Sequence, residues 1–434
     1  MMTSKPLTAF ALSILTCLAI VGPGLAQAAE PAVTESITAQ PTKDIFVHKM
    51  SELSEREMRE AQTVEWGATN DLLLISKPGM NQYFNVYSIK PDGLKLRPLT
   101  LPKDWSTSEA HKLDASWYPT GEYFVFVAQN PGSNSYTESK DSGLNCNLWL
   151  GSVTGDGPWQ LTNLPTNSPP KRGVVFPYFS PDGTKLFWAG NTGDFPEDSA
   201  FGERALYLAD FHFDKATKRP VLENTQKLQP GERHDFYESH GFSPDGNKVI
   251  FSGNLRKGQS LWGLDLYTYD LRNSTFKALT DTPEVWDEFG TYSPDGKKIV
   301  WSCSAGQNIG YVGPAGERRW QNYLKSELWI MNADGSEPKQ LTFFNTQGAP
   351  EFSGRRCFVG DCAWSPDGHR IIICLNQETG AVQALQRRLL FLDLGIGPPA
   401  APTTNPTATK KGPLDRGPNT DKSAGPKTGH RIFR

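Results

Sequence analysis

The chain has 434 residues, 37% of them apolar and 11% aromatic, with a formal net charge of −3 at pH 7. That apolar content fills a large core, which excludes a disordered chain, and the slightly acidic balance argues against nucleic acid as a partner. Forty Gly and 33 Pro mark a chain dense in turns.

The N-terminus reads as an address. Lys5 precedes an apolar stretch over 7–21, and Ala26-Gln27-Ala28 supplies the small residues of a cleavage site. This predicts a signal peptide over 1–28, cut after Ala28. Thr16 ahead of Cys17 does not fit a lipidated cysteine. No other stretch reaches the length of a membrane span, so the expected mature protein is periplasmic or secreted, without a transmembrane span. Residues 29–63 form an N-terminal segment. It holds a strand over DIFVHKM (44–50), then SELSEREMREAQ (51–62), where Ser54 and Glu57 suit the capping box of a short surface helix.

From residue 64 one unit repeats. Weak copies come first: VEWGATNDLLLIS (64–76) keeps a Trp, a polar turn and an apolar strand, and SWYPTGEYFVFVA (116–128) keeps Pro119 and Gly121 but lacks the Asp. Clear copies follow at YFSPDGTKLFWAG (178–190), GFSPDGNKVIFSG (241–253), TYSPDGKKIVWSC (291–303) and AWSPDGHRIIICL (363–375). Proline presets φ at the second turn position, Asp bonds nearby backbone at the third, and Gly accepts the left-handed conformation that closes the turn. Beyond the turn, Lys185 and Phe187 fall on one face and Leu186 and Trp188 on the other, the pattern of a strand. Third strands follow at NVYSI (85–89), NLWLGSV (147–153), ALYLADF (205–211), LYTYD (266–270), ELWIMN (327–332) and RLLFLDL (388–394). In four units a fourth strand then ends in Leu-Thr, at 99–100, 161–162, 279–280 and 341–342.

A hairpin cannot bury its own apolar face, so repeated hairpins must gather around a shared core. Four strands per unit and six units predict an all-β fold, a six-bladed β-propeller of four-stranded antiparallel blades over 64–394. The SPDG hairpin with ELWIMNADGSEPKQLT (327–342) resembles the repeat of the TolB-type β-propeller family. TolB itself carries a separate α/β domain ahead of its propeller, which this chain is expected to lack. The resemblance implies the fold; propellers of this type serve as binding platforms and as enzyme scaffolds. After RLLFLDL comes GIGPPAAPTTNP, which cannot continue a sheet. The outer strand of blade six is therefore expected to be the N-terminal DIFVHKM, closing the ring without an open seam.

Residues 395–434 hold seven Lys/Arg against Asp415 and Asp421, with seven prolines. This predicts a disordered, Pro-rich basic tail, either a weak tether to an anionic surface or a solubilising remnant. Two long insertions separate second from third strands, at 129–145 in blade two and 305–325 in blade five; such loops are uncommon unless functional or disordered. The second carries Tyr311, Arg318, Arg319, Trp320 and Tyr323, residue types enriched at binding hot spots. It reads as a recognition loop or as a loop packed over its blade. Cys357 and Cys362 bracket RCFVGDC in a presumed loop entering blade six, where a local disulfide or two free thiols both fit. No zinc spacing is present.

No G-x-S-x-G, H-E-x-x-H, P-loop or dinucleotide fingerprint occurs, so no catalytic residue is assigned. One constellation remains. Residues just before the innermost strand of each blade should converge on one end of the channel: Asp114 in blade two, Glu238 and His240 in blade four, Asp287 and Glu288 in blade five, Asp361 in blade six. Blade three has Phe176 and Pro177 instead. Such a ring suits a divalent cation, a basic peptide or a sugar, or acid–base work, or it merely caps turns and solvates the channel. Glu238, His240, Asp287, Glu288 and Asp361 are expected to share one pocket, with His240 holding its proton to raised pH beside the carboxylates. No cofactor is predicted apart from that cation. The expected function is an exported binding platform for an envelope protein or polysaccharide rather than an enzyme. The alternatives are a propeller-type polysaccharide lyase or hydrolase with its site at the channel mouth, and a purely structural scaffold. Oligogalacturonate lyases are similar propellers but hold metal through several channel histidines, where here only His240 is well placed.

Overall fold

The computed structural model describes residues 40–53, 60–69, 71–79, 82–100, 109–133, 142–193, 202–231, 236–307, 322–380 and 385–397. The expected leader, the helix with Ser54 and Glu57, the centres of both insertions and the basic tail beyond 397 lie outside these residues.

The described residues form six four-stranded antiparallel sheets in a ring, a β-propeller. Blade one is β2 (Val64–Trp66), β3 (Leu73–Pro78), β4 (Phe84–Ile89) and β5 (Arg97–Pro98); blade two is β6 (Lys112–Trp117), β7 (Tyr123–Gln129), β8 (Cys146–Ser152) and β9 (Trp159–Gln160). Blade three is β10 (Gly173–Phe179), β11 (Lys185–Asn191), β12 (Arg204–Phe213) and β13 (Pro220–Leu228); blade four is β14 (Tyr237–Phe242), β15 (Lys248–Gly253), β16 (Asp265–Asp270) and β17 (Thr275–Ala278). Blade five is β18 (Asp287–Tyr292), β19 (Lys298–Cys303), β20 (Glu327–Asn332) and β21 (Lys339–Gln340). Blade six is β22 (Cys357–Trp364), β23 (Arg370–Glu378), β24 (Leu385–Ile396) and, from the other end of the chain, β1 (Ile45–Glu52).

The repeated turn is held by its own side chains. Ser180 donates its hydroxyl to Asp182 at 2.6 Å and accepts the Lys185 N–H at 2.9 Å, while Asp182 accepts the Thr184 N–H at 3.0 Å. The same bonds recur around Ser243, Ser293 and Ser365. The hydroxyls hold Asp182 and Asp245 below the usual carboxylate range. Gly183, Gly246, Gly296 and Gly368 sit at φ of 71°, 70°, 73° and 72°, the left-handed region the turn requires.

The Leu-Thr pairs lie just beyond the short outer strands rather than within them, and each has a definite task. Thr100, Thr162, Thr280 and Thr342 each accept, at 2.9 Å, the N–H of Val86, Leu148, Leu266 and Leu328 on the adjoining third strand. The hydroxyl thus continues the ladder after the backbone has turned away. Three of them also donate to a buried group at the head of that strand: Asn147, Asp265 and Glu327. Blade three has no Leu-Thr; its outer strand β13 runs nine residues instead, and the head of its third strand is Arg204.

Ring closure follows the sequence expectation. β1 pairs antiparallel with β24 from Ile45↔Ile396 to Glu52↔Leu390. β24 extends two residues past position 394, so the tail begins later than expected, and β1 takes up residues 51 and 52. Ile45 is fully buried in an apolar cluster with Val300, Ile330, Ile371 and Leu392. Ile45→Ala should lower unfolding free energy by about 2–5 kcal/mol, read from urea midpoints, because the truncated site cannot collapse inside a rigid seam. A loss below about 1 kcal/mol would show that the ring stays shut without this strand.

Candidate functional site

In blades two to six the innermost strand carries a bulge, at Leu113/Ser116, Val175/Tyr178, Ser239/Gly241, Glu288/Thr291 and Val359/Cys362. A bulge leaves backbone groups outside the ladder and redirects side chains. In blade three both backbone groups of Phe176, inside the bulge, are used between blades, and other backbone groups of the innermost strands are met in the same way. Asp361 of blade six accepts the Val64 N–H of blade one at 2.9 Å, and Glu65 of blade one accepts the Trp117 N–H of blade two at 2.6 Å. Asp114 of blade two accepts the backbone N–H of Phe176 in blade three. Ser239 of blade four donates to the Phe176 carbonyl at 2.7 Å, Ser252 of blade four to the Asp287 carbonyl at 3.1 Å, and Ser302 of blade five to the Val359 carbonyl at 2.7 Å. Every one of the six seams therefore has a side-chain-to-backbone bond at the axis.

At the SPDG end the innermost strands open onto a cavity of about 480 Å³. Each blade contributes to its wall: Glu65, Trp117, Tyr178, His240, Phe289 and Asp361, in blade order. The turn prolines Pro119, Pro181, Pro244, Pro294 and Pro366 ring the opening.

The structure distributes the expected ring differently. Of its members, His240 and Asp361 line this cavity; Asp114, Glu238, Asp287 and Glu288 do not. Successive strand residues face opposite sides, and each bulge resets the alternation, so a similar spacing from the turn proline does not secure a shared face. Asp287 is 1% exposed and serves its own blade, accepting from Trp301 Nε1 at 2.7 Å and Thr282 Oγ1 at 2.9 Å. Glu238 forms an ion pair with Arg204 at 2.8 Å, and Glu288 lies within Coulombic range of both. The positive charge that relieves repulsion between these two carboxyls is thus supplied by the chain. Arg204, whose guanidinium lies 4.9 Å over the Phe236 ring, went unforeseen; the sequence signal is a basic residue at the start of a third strand where those of blades four and five begin with Asp265 and Glu327. Glu65 was also missed, because it lies inside the weakest copy of the repeat.

Burial dominates the electrostatics. It pushes Glu65 up to about 8 and Asp114 and Asp361 up to about 7, with neighbouring carboxyls adding to the shift. Burial raises Asp287 to about 6 and Glu288 well above its ordinary value; it raises Glu238 too, against the pull of Arg204. His240 contradicts the expectation of a retained proton: burial lowers it to about 3, and its Nε2 sits 2.7 Å from Ser252 Oγ. Desolvation of the imidazolium outweighs its hydrogen bond to the Ser239 backbone, so this His is neutral.

Of the two readings open for Cys357 and Cys362, the structure has the free thiols. Cys357 and Cys362 lie on one strand, β22, not in a loop, opposite Gln377 and Ile373. Five residues of extended chain separate them by far more than the roughly 7 Å that a disulfide can bridge. Both are free and buried, with Sγ atoms turned to the carbonyls of Arg355 and Phe289. Among the described residues, no three His, Cys, Asp or Glu side chains gather as a metal cage. Of the hot-spot residues in the blade-five insertion, Tyr323 is 46% exposed; Tyr311, Arg318, Arg319 and Trp320 lie outside the described residues.

A pH dependence follows. Between the ordinary 4.5 and about 8, native Glu65 keeps a proton that the unfolded chain has lost, so stability falls as pH rises through that window. Asp114 and Asp361 act in the same direction. Glu65→Gln retains an acceptor for the Trp117 N–H but cannot ionise. Its stability should fall less steeply, by about 1 kcal/mol or more, between about pH 5 and about pH 8 in urea unfolding. Parallel curves for the two proteins would refute the assignment.

No family model matches the chain, and no curated protein matches it. Among solved structures it is similar to TolB from Acinetobacter baumannii, at 16% identity and a TM-score of 0.43 over 77% of this chain and 63% of that one. It is similar to a TolB from Agrobacterium tumefaciens, at 18% identity and 0.42 over 70% and 87%. It is also similar to an oligogalacturonate lyase from Vibrio parahaemolyticus, at 10% identity and 0.46 over 81% and 98%. The chain spans less than two thirds of the length of the Acinetobacter protein. Its own strand order makes it a six-bladed β-propeller.

Proposed function

We propose that the protein is an exported binding platform that takes an envelope protein or polymer at the SPDG-end mouth. One observation carries this reading: a cavity of about 480 Å³ walled by one group from every blade, mostly aromatic, and rimmed by prolines. Concave sites with apolar walls and a few polar groups are where ligands and partner side chains are held. The polar groups of the wall are already committed to holding the ring together, and His240 is neutral and bonded to Ser252. That arrangement favours a rigid, preorganised receptor over acid–base chemistry. Export rests on the expected leader at 1–28.

Ala68 is exposed and lines the mouth, so a larger side chain there fills the opening without entering the core. In native cell envelopes, photo-crosslinking from the wild-type protein should capture a discrete partner, and Ala68→Trp should lose that adduct while melting at the same temperature. An adduct of equal yield in both proteins would place docking elsewhere.

A further inference from the structure

The charges of the mouth point to the chemistry of its occupant. Among the described residues that line the cavity there is no Lys or Arg, whereas two carboxyl groups, Glu65 and Asp361, reach it from adjacent blades, and Asp361 adds to the cost of ionising Glu65. Glu65 accepts from the Trp117 N–H and from Ser116 Oγ; Asp361 accepts from the Val64 and Cys362 N–H groups. Each oxygen thus has one bond and keeps acceptor capacity for another. An anionic polymer would meet no cation here. A neutral one would leave the ionised form of both carboxyls unfavourable. A cation offsets both.

Two features select among cations. Around the rest of the wall stand the aromatic Trp117, Tyr178 and Phe289, and a planar delocalised cation stacks on such faces while bonding carboxylates through its edge. The proline rim, in turn, offers apolar surface that a free small cation would leave uncovered, but that a polypeptide carrying the cation would bury. We propose that the cavity is a receptor for an arginine side chain presented by a partner polypeptide, which rests on the mouth being the docking site.

The test uses the full mature chain and two probes of nearly equal shape, N-acetyl-arginine amide and its neutral isostere N-acetyl-citrulline amide. Binding is followed by tryptophan fluorescence, since Trp117 borders the site. The arginine probe should bind saturably and about tenfold or more tighter than citrulline, and Glu65→Gln should erase most of that preference. Equal affinity for the two probes, or no saturable arginine binding, overturns the proposal. Should Glu65→Gln fail to fold, the wild-type ratio decides alone. If Ala68→Trp abolishes partner capture while the arginine probe does not bind, docking at the mouth stands and the arginine assignment falls. If the probe binds but capture survives Ala68→Trp, the docking reading falls and the proposal with it.

Discussion

The ring depends on a hydrogen bond made sideways. Within a blade each strand pairs with its neighbour through a backbone ladder, but blades meet face to face with at most isolated backbone bonds, such as Val174 N–H to the Gly143 carbonyl, between them. Backbone N–H and C=O groups of the innermost strands, in places freed by a bulge, are answered at each meeting by a carboxyl or hydroxyl from the adjoining blade. Buried backbone groups left without partners would be costly, so the bulge and the side chain that answers it must come together. Removing one without the other would open a seam.

This use of acids has a side effect. Carboxyls placed at the axis to hold backbone N–H groups are also placed where six blades exclude water. Their charge is therefore disfavoured, and they sit near the middle of the physiological pH range instead of far below it. A site thus becomes polar for structural reasons.

Much of the fold was legible in the sequence because its signals are local. Ser-Pro-Asp-Gly encodes a turn whose bonds all lie within six residues, and a strand edge can be closed by the hydroxyl of a Thr close by in the chain. Closure by the N-terminal strand was legible for a different reason: the GIGPP stretch forbids any other candidate. The site was less legible, since it depends on which way a side chain faces after a bulge. Asp361 and His240 reach the mouth, while Asp287, at a similar distance from its turn, faces Trp301 in its own blade. The Arg204–Glu238 pair joins residues 34 positions apart across a seam, and nothing in either segment alone announces it. Cys357 and Cys362 were misplaced because RCFVGDC was read as a loop, whereas it forms much of a long innermost strand.

The first strand made is the last one used. β1 precedes all six blades in the chain, yet its ladder partner is β24, the last strand among the described residues. Blades one to five assemble from contacts close in sequence, but blade six keeps an open edge until the two ends of the chain meet. Closing so long a loop is slow, and an unpaired edge is a template for other chains in the interval. The domain consequently has a built-in order of assembly, with its vulnerable moment at the end, and a truncation at either terminus would leave it there.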